Sequence, residues 1–140
     1  MKGYSETVGY CLVKMCKLYF NYLNVKLSEV GSYEGQHHTL MQLWETDGLP
    51  QVELTKRLGV EPASVSKAVE RMESAGFIQR QPDPEDARAN CLFLTEQGRR
   101  LEEPVKRILA DAEEHLLANM SVEERVLVRR LLLQMRDNLK

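Results

Sequence analysis

The chain has 140 residues, 43% of them apolar and 29% charged, a balance that suits one compact domain or a small dimerising protomer and argues against a disordered chain. Eight Gly and five Pro are too few for a fibrous or linker-like chain. The formal charge is −2, so no overall basic surplus announces a polyanionic partner, and any anion must be met by a local patch.

In chain order, Ser5 is placed to cap a first helix in which Val8, Leu12, Met15, Tyr19 and Tyr22 recur at three- and four-residue steps, ending near Gly31. A second helix runs from about Glu34 to Glu45, carries Leu40, Leu43 and Trp44, and is broken by Asp47-Gly48. A short third helix through Leu54 and Leu58 stops at Gly59. Pro62 then suits the first turn of a helix that runs to about Ser74 and is ended by Gly76. Phe77 to Gln81 and Cys91 to Leu94 read as two short strands joined by a polar loop with Pro82 and Pro84. Thr95 opens a helical pattern with Leu101, Val105, Ile108, Ala112 and Leu116 on one face. Pro104 lies too deep in that pattern for a first turn and should bend it, or split it near Glu103. A Ser121/Glu124 capping box opens the last helix, with Leu127, Leu131, Met135 and Leu139 in register.

Two short helices joined by Gly59, Val60 and Glu61 make a helix-turn-helix, and a hairpin directly behind it makes the winged variant. The expected fold is mainly α with a small β-hairpin wing. Residues 1–46 supply N-terminal helices, 47–100 the winged helix-turn-helix lobe, and 101–140 C-terminal dimerisation helices. In such a motif the second helix lies in the major groove of DNA. With Val65, Val69 and Met72 facing the core, a rotation of about 100° per residue puts Ala63, Lys67, Glu70, Arg71 and Ser74 outward, with Ser64 and Ser66 on the flanks. Small and hydroxylic residues there admit close approach to DNA, and Lys67 and Arg71 can reach guanine acceptors or phosphates. A stiff loop that presents Arg88 suits the minor groove, where narrow A·T-rich stretches concentrate negative potential, and Asp86 is expected to orient the guanidinium. The same residues also describe an ordinary solvated helix face and a mixed-charge hairpin. The alternative function is therefore a winged-helix protein–protein interaction module without DNA binding.

The run GLPQVELTKRLGVEPASVSKAVERMESAGFIQRQPDPEDARANCLFLTEQGRR, Gly48 to Arg100, resembles the winged-helix core of the MarR family of bacterial transcriptional regulators. The most specific pieces are PASVSKAVERMESAGFIQR and DPEDARANCLFLTEQGRR, and the flanking helices match in number, length and order. The resemblance implies a cytoplasmic homodimer with intertwined terminal helices, and a palindromic operator in double-stranded DNA that is bound as a repressor. It puts Arg88 in the minor groove beside Asp86, and Ser64, Ser66, Lys67 and Arg71 at recognition-helix positions. Acidic residues slightly outnumber basic ones between Asp47 and Arg100, so modest and steeply salt-dependent binding is expected.

The consecutive runs Val126–Val128 and Leu131–Leu133 spread apolar surface over a wider arc than a chain of this size can cover, which favours a homodimer. Tyr19, Tyr22, Tyr33, His37, His38 and Trp44 fall near the crevice in which relatives take ligands, and suit a small aromatic ligand; core packing is the other reading. Relatives that sense hydroperoxides carry a cysteine early in the first helix, but Gly9 falls at that position here. Cys11 and Cys16 are the redox candidates, about 7.5 Å apart along the axis and unable to bridge each other, with roles as buried small hydrophobes the competing expectation. His37 and His38 are expected to point apart, and no spacing suits a metal, a cofactor, a membrane span or enzymatic chemistry.

Overall fold

In a computed structural model that describes residues 3–32 and 36–140, the chain forms seven α-helices and three strands among those residues, divided into two compact units, Met1–Ile108 and Leu109–Lys140. Helix α1 spans Val8–Ser28. Its cap is Thr7 rather than Ser5, which sits in a single 3-10 turn, Tyr4–Glu6. The Thr7 hydroxyl accepts from the Tyr10 N–H at 3.1 Å and donates to the Tyr4 carbonyl at 2.7 Å, so one side chain closes the turn and opens the helix. The helix also ends at Ser28, earlier than expected, and Gly31 follows in the left-handed region. Only its last turns enter the core, through Leu23 and Leu27, while Val8 and Met15 of the expected stripe are exposed.

Helix α2, Gln36–Glu45, buries Leu40 and Leu43. It is followed by β1 (Leu49–Pro50), α3 (Gln51–Leu58), α4 (Pro62–Ser74), β2 (Ile78–Pro82) and β3 (Asn90–Leu94). The two-residue β1 has no sequence signal, being too short for an alternation. It pairs with β3 through Leu49 opposite Leu92, giving an antiparallel sheet in the order β1-β3-β2. Both hairpin strands are shifted slightly from the sequence reading, with Arg80 opposite Leu92 and Pro82 opposite Asn90. Gly59 ends α3 with φ +64°, a conformation costly for any residue with a Cβ, and so sets the turn into α4.

The long helix expected after Thr95 is divided. Helix α5 is Glu96–Arg100 and α6 is Glu102–Leu116, with the break at Leu101, just before the expected point. The Pro104 ring would meet the carbonyl four residues back, at Arg100, while its missing N–H is harmless in the first turn of a new helix. In the second unit the Ser121/Glu124 box opens α7, Val122–Leu139, with bonds of 3.1 and 2.9 Å. Asn119 turns the chain between α6 and α7 at φ +65°. Arg125 links back to Glu114 at 3.2 Å. No residue of α7 is buried, and Val126, Leu127, Leu131 and Leu132 are exposed.

The winged lobe is closed by a polar junction around Gly98. The Trp44 indole N–H donates to the Gly98 carbonyl at 3.0 Å. The Thr95 hydroxyl accepts from the Gly98 N–H at 3.1 Å and donates to the Gly76 carbonyl at 2.6 Å. Asp47 accepts from the Leu94 N–H at 2.8 Å and pairs with Arg99 at 3.0 Å. A Cβ on Gly98 would overlap the Phe77 carbonyl oxygen, which is backbone and has nowhere to go. Gly98→Ala is therefore expected to cost about 3 kcal/mol in urea unfolding, and a loss below about 0.5 kcal/mol would show that the junction yields.

At the start of α2 three buried polar atoms have no hydrogen-bond partner among the described residues: Ser32 Oγ, Gln36 Oε1 and His37 Nδ1. Burial, helped by the neighbouring His38, lowers the His37 pKa from 6.5 to about 4. The unfolded chain then binds the extra proton at a higher pH than the folded one does. This contribution to stability is complete above pH 6.5 and falls away as the pH drops toward 4, by about 3 kcal/mol. In His37→Gln the loss over that window should shrink by most of this amount; an equal loss in both proteins would mean that His37 does not titrate with folding.

Candidate nucleic-acid interface

Val65, Val69 and Met72 are buried beneath α4, and this fixes the helix about its axis. Ala63, Ser64, Lys67, Glu70, Arg71 and Ser74 are exposed on the outer side, as the periodicity requires. Pro62 occupies the first turn, and Glu61 stands at the cap position with no side-chain bond. Ser66 departs from this pattern. It is half-buried, and its hydroxyl accepts from Gln51 Nε2 at 3.3 Å, so it ties α3 to α4.

The wing tip is stiffened from within. The Asp83 N–H donates to the Ala89 carbonyl and the Ala89 N–H to the Asp86 carbonyl, both at 3.0 Å. The Asp83 carboxylate accepts from the Glu85 N–H at 2.9 Å. Asp86 was expected to hold the Arg88 guanidinium. Instead its Oδ1 accepts from the Arg88 backbone N–H at 3.0 Å, closing a short turn of the kind Asp favours, so it shapes the main chain beneath the arginine. Arg88 is exposed, and its guanidinium has no ion-pair partner among the described residues. Pro82 and Pro84 flank the turn. Just inside the root of the wing, burial pushes the Cys91 thiol pKa up, and the Asp83 carboxylate adds to the shift.

Between α2, α3 and α4 lies an open cleft of about 820 Å³. Arg57, Ser64, Lys67, Arg71, His38 and Gln42 are among its lining residues, which include no carboxylate among the described residues. Arg57 and Gln42 had no signal in the sequence, because their side chains meet those of α4 only in the folded lobe.

The other candidates do not converge. Of the expected ligand residues that are described, only His38 lines this cleft. His37 is buried, Trp44 is committed to Gly98, and the Tyr22 ring has Lys26 Nζ at 5.9 Å from its centroid. Tyr19 is half-buried on α1, and Tyr33 lies outside the described residues. The two histidine rings were expected to diverge. Their centroids are 4.1 Å apart, since side-chain rotation brings neighbouring imidazoles together where the backbone alone would separate them. Cys11 and Cys16, expected to be buried, are both exposed, because the early turns of α1 lie off the core; the buried cysteine is Cys91.

Residues 33–89 match the MarR family. The HTH-type transcriptional regulator YdgJ of Bacillus subtilis is 33% identical over 109 residues, which are 78% of this chain and 66% of that protein. The HTH-type transcriptional repressor NicR of Pseudomonas putida is 28% identical over 134 residues, covering 96% of this chain and 85% of its own. A crystal structure of a mutant MarR from Escherichia coli complexed with operator DNA superposes with a TM-score of 0.86 at 23% identity, over 96% of this chain and 99% of that one, a likeness of fold. With its winged helix-turn-helix lobe and these relatives, the chain belongs to the MarR family of transcriptional regulators.

Proposed function

We propose that the chain is a homodimeric, sequence-specific repressor that binds a palindromic operator in double-stranded DNA. The observation that carries this reading is the arrangement of one compact unit: α4 presents Ser64, Lys67 and Arg71 outward, and a stiff wing presents Arg88 without an ion-pair partner among the described residues. Helix α4 enters the major groove, with Lys67 and Arg71 on base edges or phosphates and Ser64 at the close approach of its N-terminal turn. Arg88 enters the flanking minor groove, where an A·T-rich narrowing attracts it. Ser66 and Asp86 act from behind the surface, one holding α4 to α3 and the other shaping the wing turn.

The dimer is supported by apolar side chains left in water. On α1 these include Val13, Leu18, Phe20 and Val25, and on α7 Val126, Leu127 and Leu132. Two copies that cover such faces supply the two-fold symmetry a palindrome needs. Repression follows from occupancy of an operator that overlaps a promoter, and the name of NicR supports that direction. Release is controlled by a small ligand or an oxidant. The polar atoms of Ser32, Gln36 and His37 that have no partner among the described residues favour a ligand with hydrogen-bonding groups, whereas the exposed Cys11 and Cys16 favour an oxidant.

Selection from a random pool of duplex oligonucleotides at stated salt tests the reading. A palindrome with half-sites about one helical turn apart is expected, whereas failure to enrich any sequence would favour the protein-interaction module. On the selected duplex, Arg88→Ala, which removes one arginine from each copy of the dimer, should weaken binding about tenfold and lower the slope of log affinity against log salt by about two. Unchanged affinity would remove Arg88 from the interface.

A further inference from the structure

The strand that carries the wing away from α4 has little hold on the core. Of β2 only Ile78 is buried, and Gln79, Arg80, Gln81 and Pro82 all face solvent. The partner strand β3 buries Cys91, Leu92 and Leu94 and also pairs with β1. The outer part of β2 is therefore held by its ladder with β3 and by the Arg80 side chain. Arg80 Nη2 donates to Glu73 Oε1 at 2.7 Å, and Nε lies 3.2 and 3.3 Å from the two carboxylate oxygens. The Arg80 backbone N–H also donates to Glu73 Oε2 at 3.3 Å.

Glu73 lies in the last turn of α4, next to the buried Met72 and two residues beyond Arg71. One carboxylate on the reading helix thus grips a wing strand by side chain and main chain together. Glu70, a turn earlier on α4, adds attraction to the same guanidinium. The two side chains are 34% and 36% exposed, a setting in which ion pairs add little to folding stability. The geometry is more constrained than a stability role requires, since a bidentate carboxylate–guanidinium pair fixes orientation as well as distance.

We infer that Glu73 and Arg80 form a strut that sets the angle between α4 and the wing, so that Lys67, Arg71 and Arg88 can engage one duplex at once. Glu73 is then a positioning residue for DNA binding. This rests on the reading that Arg88 is a DNA contact. Electrostatics alone predicts the opposite effect of its removal, because deleting a negative charge beside the DNA-reading face raises attraction to phosphate.

The test is a double-mutant cycle on the duplex recovered by selection, with thermal unfolding of each variant in parallel. Glu73→Ala should unfold within a few degrees of the unmodified protein, yet bind about fivefold more weakly. Arg88→Ala should cost about tenfold in the unmodified protein but only about twofold in the Glu73→Ala background, since a misdirected wing has little left to lose. Glu73→Gln, which keeps the shape of the side chain, should fall between the two, and the exchange Glu73→Arg with Arg80→Glu should restore most of the Arg88 dependence. Binding by Glu73→Ala that is as tight or tighter would overturn the strut, as would an equal Arg88→Ala penalty in both backgrounds. If Arg88→Ala has no effect even in the unmodified protein, the wing contact itself fails, and the strut loses its role with it.

Discussion

Val65, Val69 and Met72 lie one turn apart on α4 and are all but removed from water, and this burial decides what the rest of the lobe can present. With the inner stripe committed, the outer residues of α4 are exposed among the described residues and are available to a partner. Burying three such side chains is worth several kcal/mol, roughly 1.5–3 kcal/mol each, far more than any surface charge pair could return by rotating the helix. The orientation of the outer face is thus fixed by the core rather than by its own polar residues. Ser64, Lys67 and Arg71 stand outside the buried stripe, so substitutions there leave the side chains that hold the helix in place. The wing depends on the same arrangement at one remove, because its first strand leaves α4 through the Gly76 turn, and the Thr95 hydroxyl holds that turn's carbonyl.

A different balance governs α1 and α7. Each carries large apolar side chains in water, with no buried residue in α7 and only Leu23 and Leu27 buried in α1. Large apolar side chains left exposed along a helix commonly mark a surface that a partner covers. The same helices are well formed by local rules: α7 is opened by a complete capping box and α1 by the doubly bonded Thr7. Their secondary structure is thus specified by local bonds, while their exposed apolar side chains are available to a partner. Helices formed in advance lose less conformational entropy on association than disordered segments would.

How much of this was legible in the sequence depends on whether the signal was local or tertiary. The winged helix-turn-helix, its boundaries near Gly59, Pro62 and Gly76, and the inward stripe of α4 follow from spacing and turn chemistry, and they held within a residue or two. What failed was settled by contacts between distant residues or by a choice among local bonds. Ser5 and Thr7 are both good caps, and only the 3-10 turn decides between them. A strand as short as β1 exists only because β3 lies beside it. Asp86 has two donors on Arg88 within reach, and the turn gives it the nearer, on the backbone. Trp44 could pass for a ligand residue until Gly98, far along the chain, proved to be its partner. Glu73 and Arg80 gave no periodic signal at all, since their meeting depends on how sharply the chain reverses at Gly76.

The charge balance sharpens the same argument. A lobe in which acids slightly outnumber bases cannot hold a duplex by its mean field, so its affinity rests on where a few cations stand. Glu53, Asp47, Glu96 and Glu73 are each engaged by Arg57, Arg99, Arg100 and Arg80 in ion pairs within the chain. These pairs neutralise charge in place. Lys67, Arg71 and Arg88, by contrast, have no ion-pair partner among the described residues and lie on the two elements best shaped to enter DNA grooves. In the proposed mode of binding, few unpaired cations mean few counterions released, and therefore weak attachment to arbitrary DNA. In that mode, discrimination between sites depends on whether helix and wing reach their grooves together, which makes their relative angle as consequential as their charge.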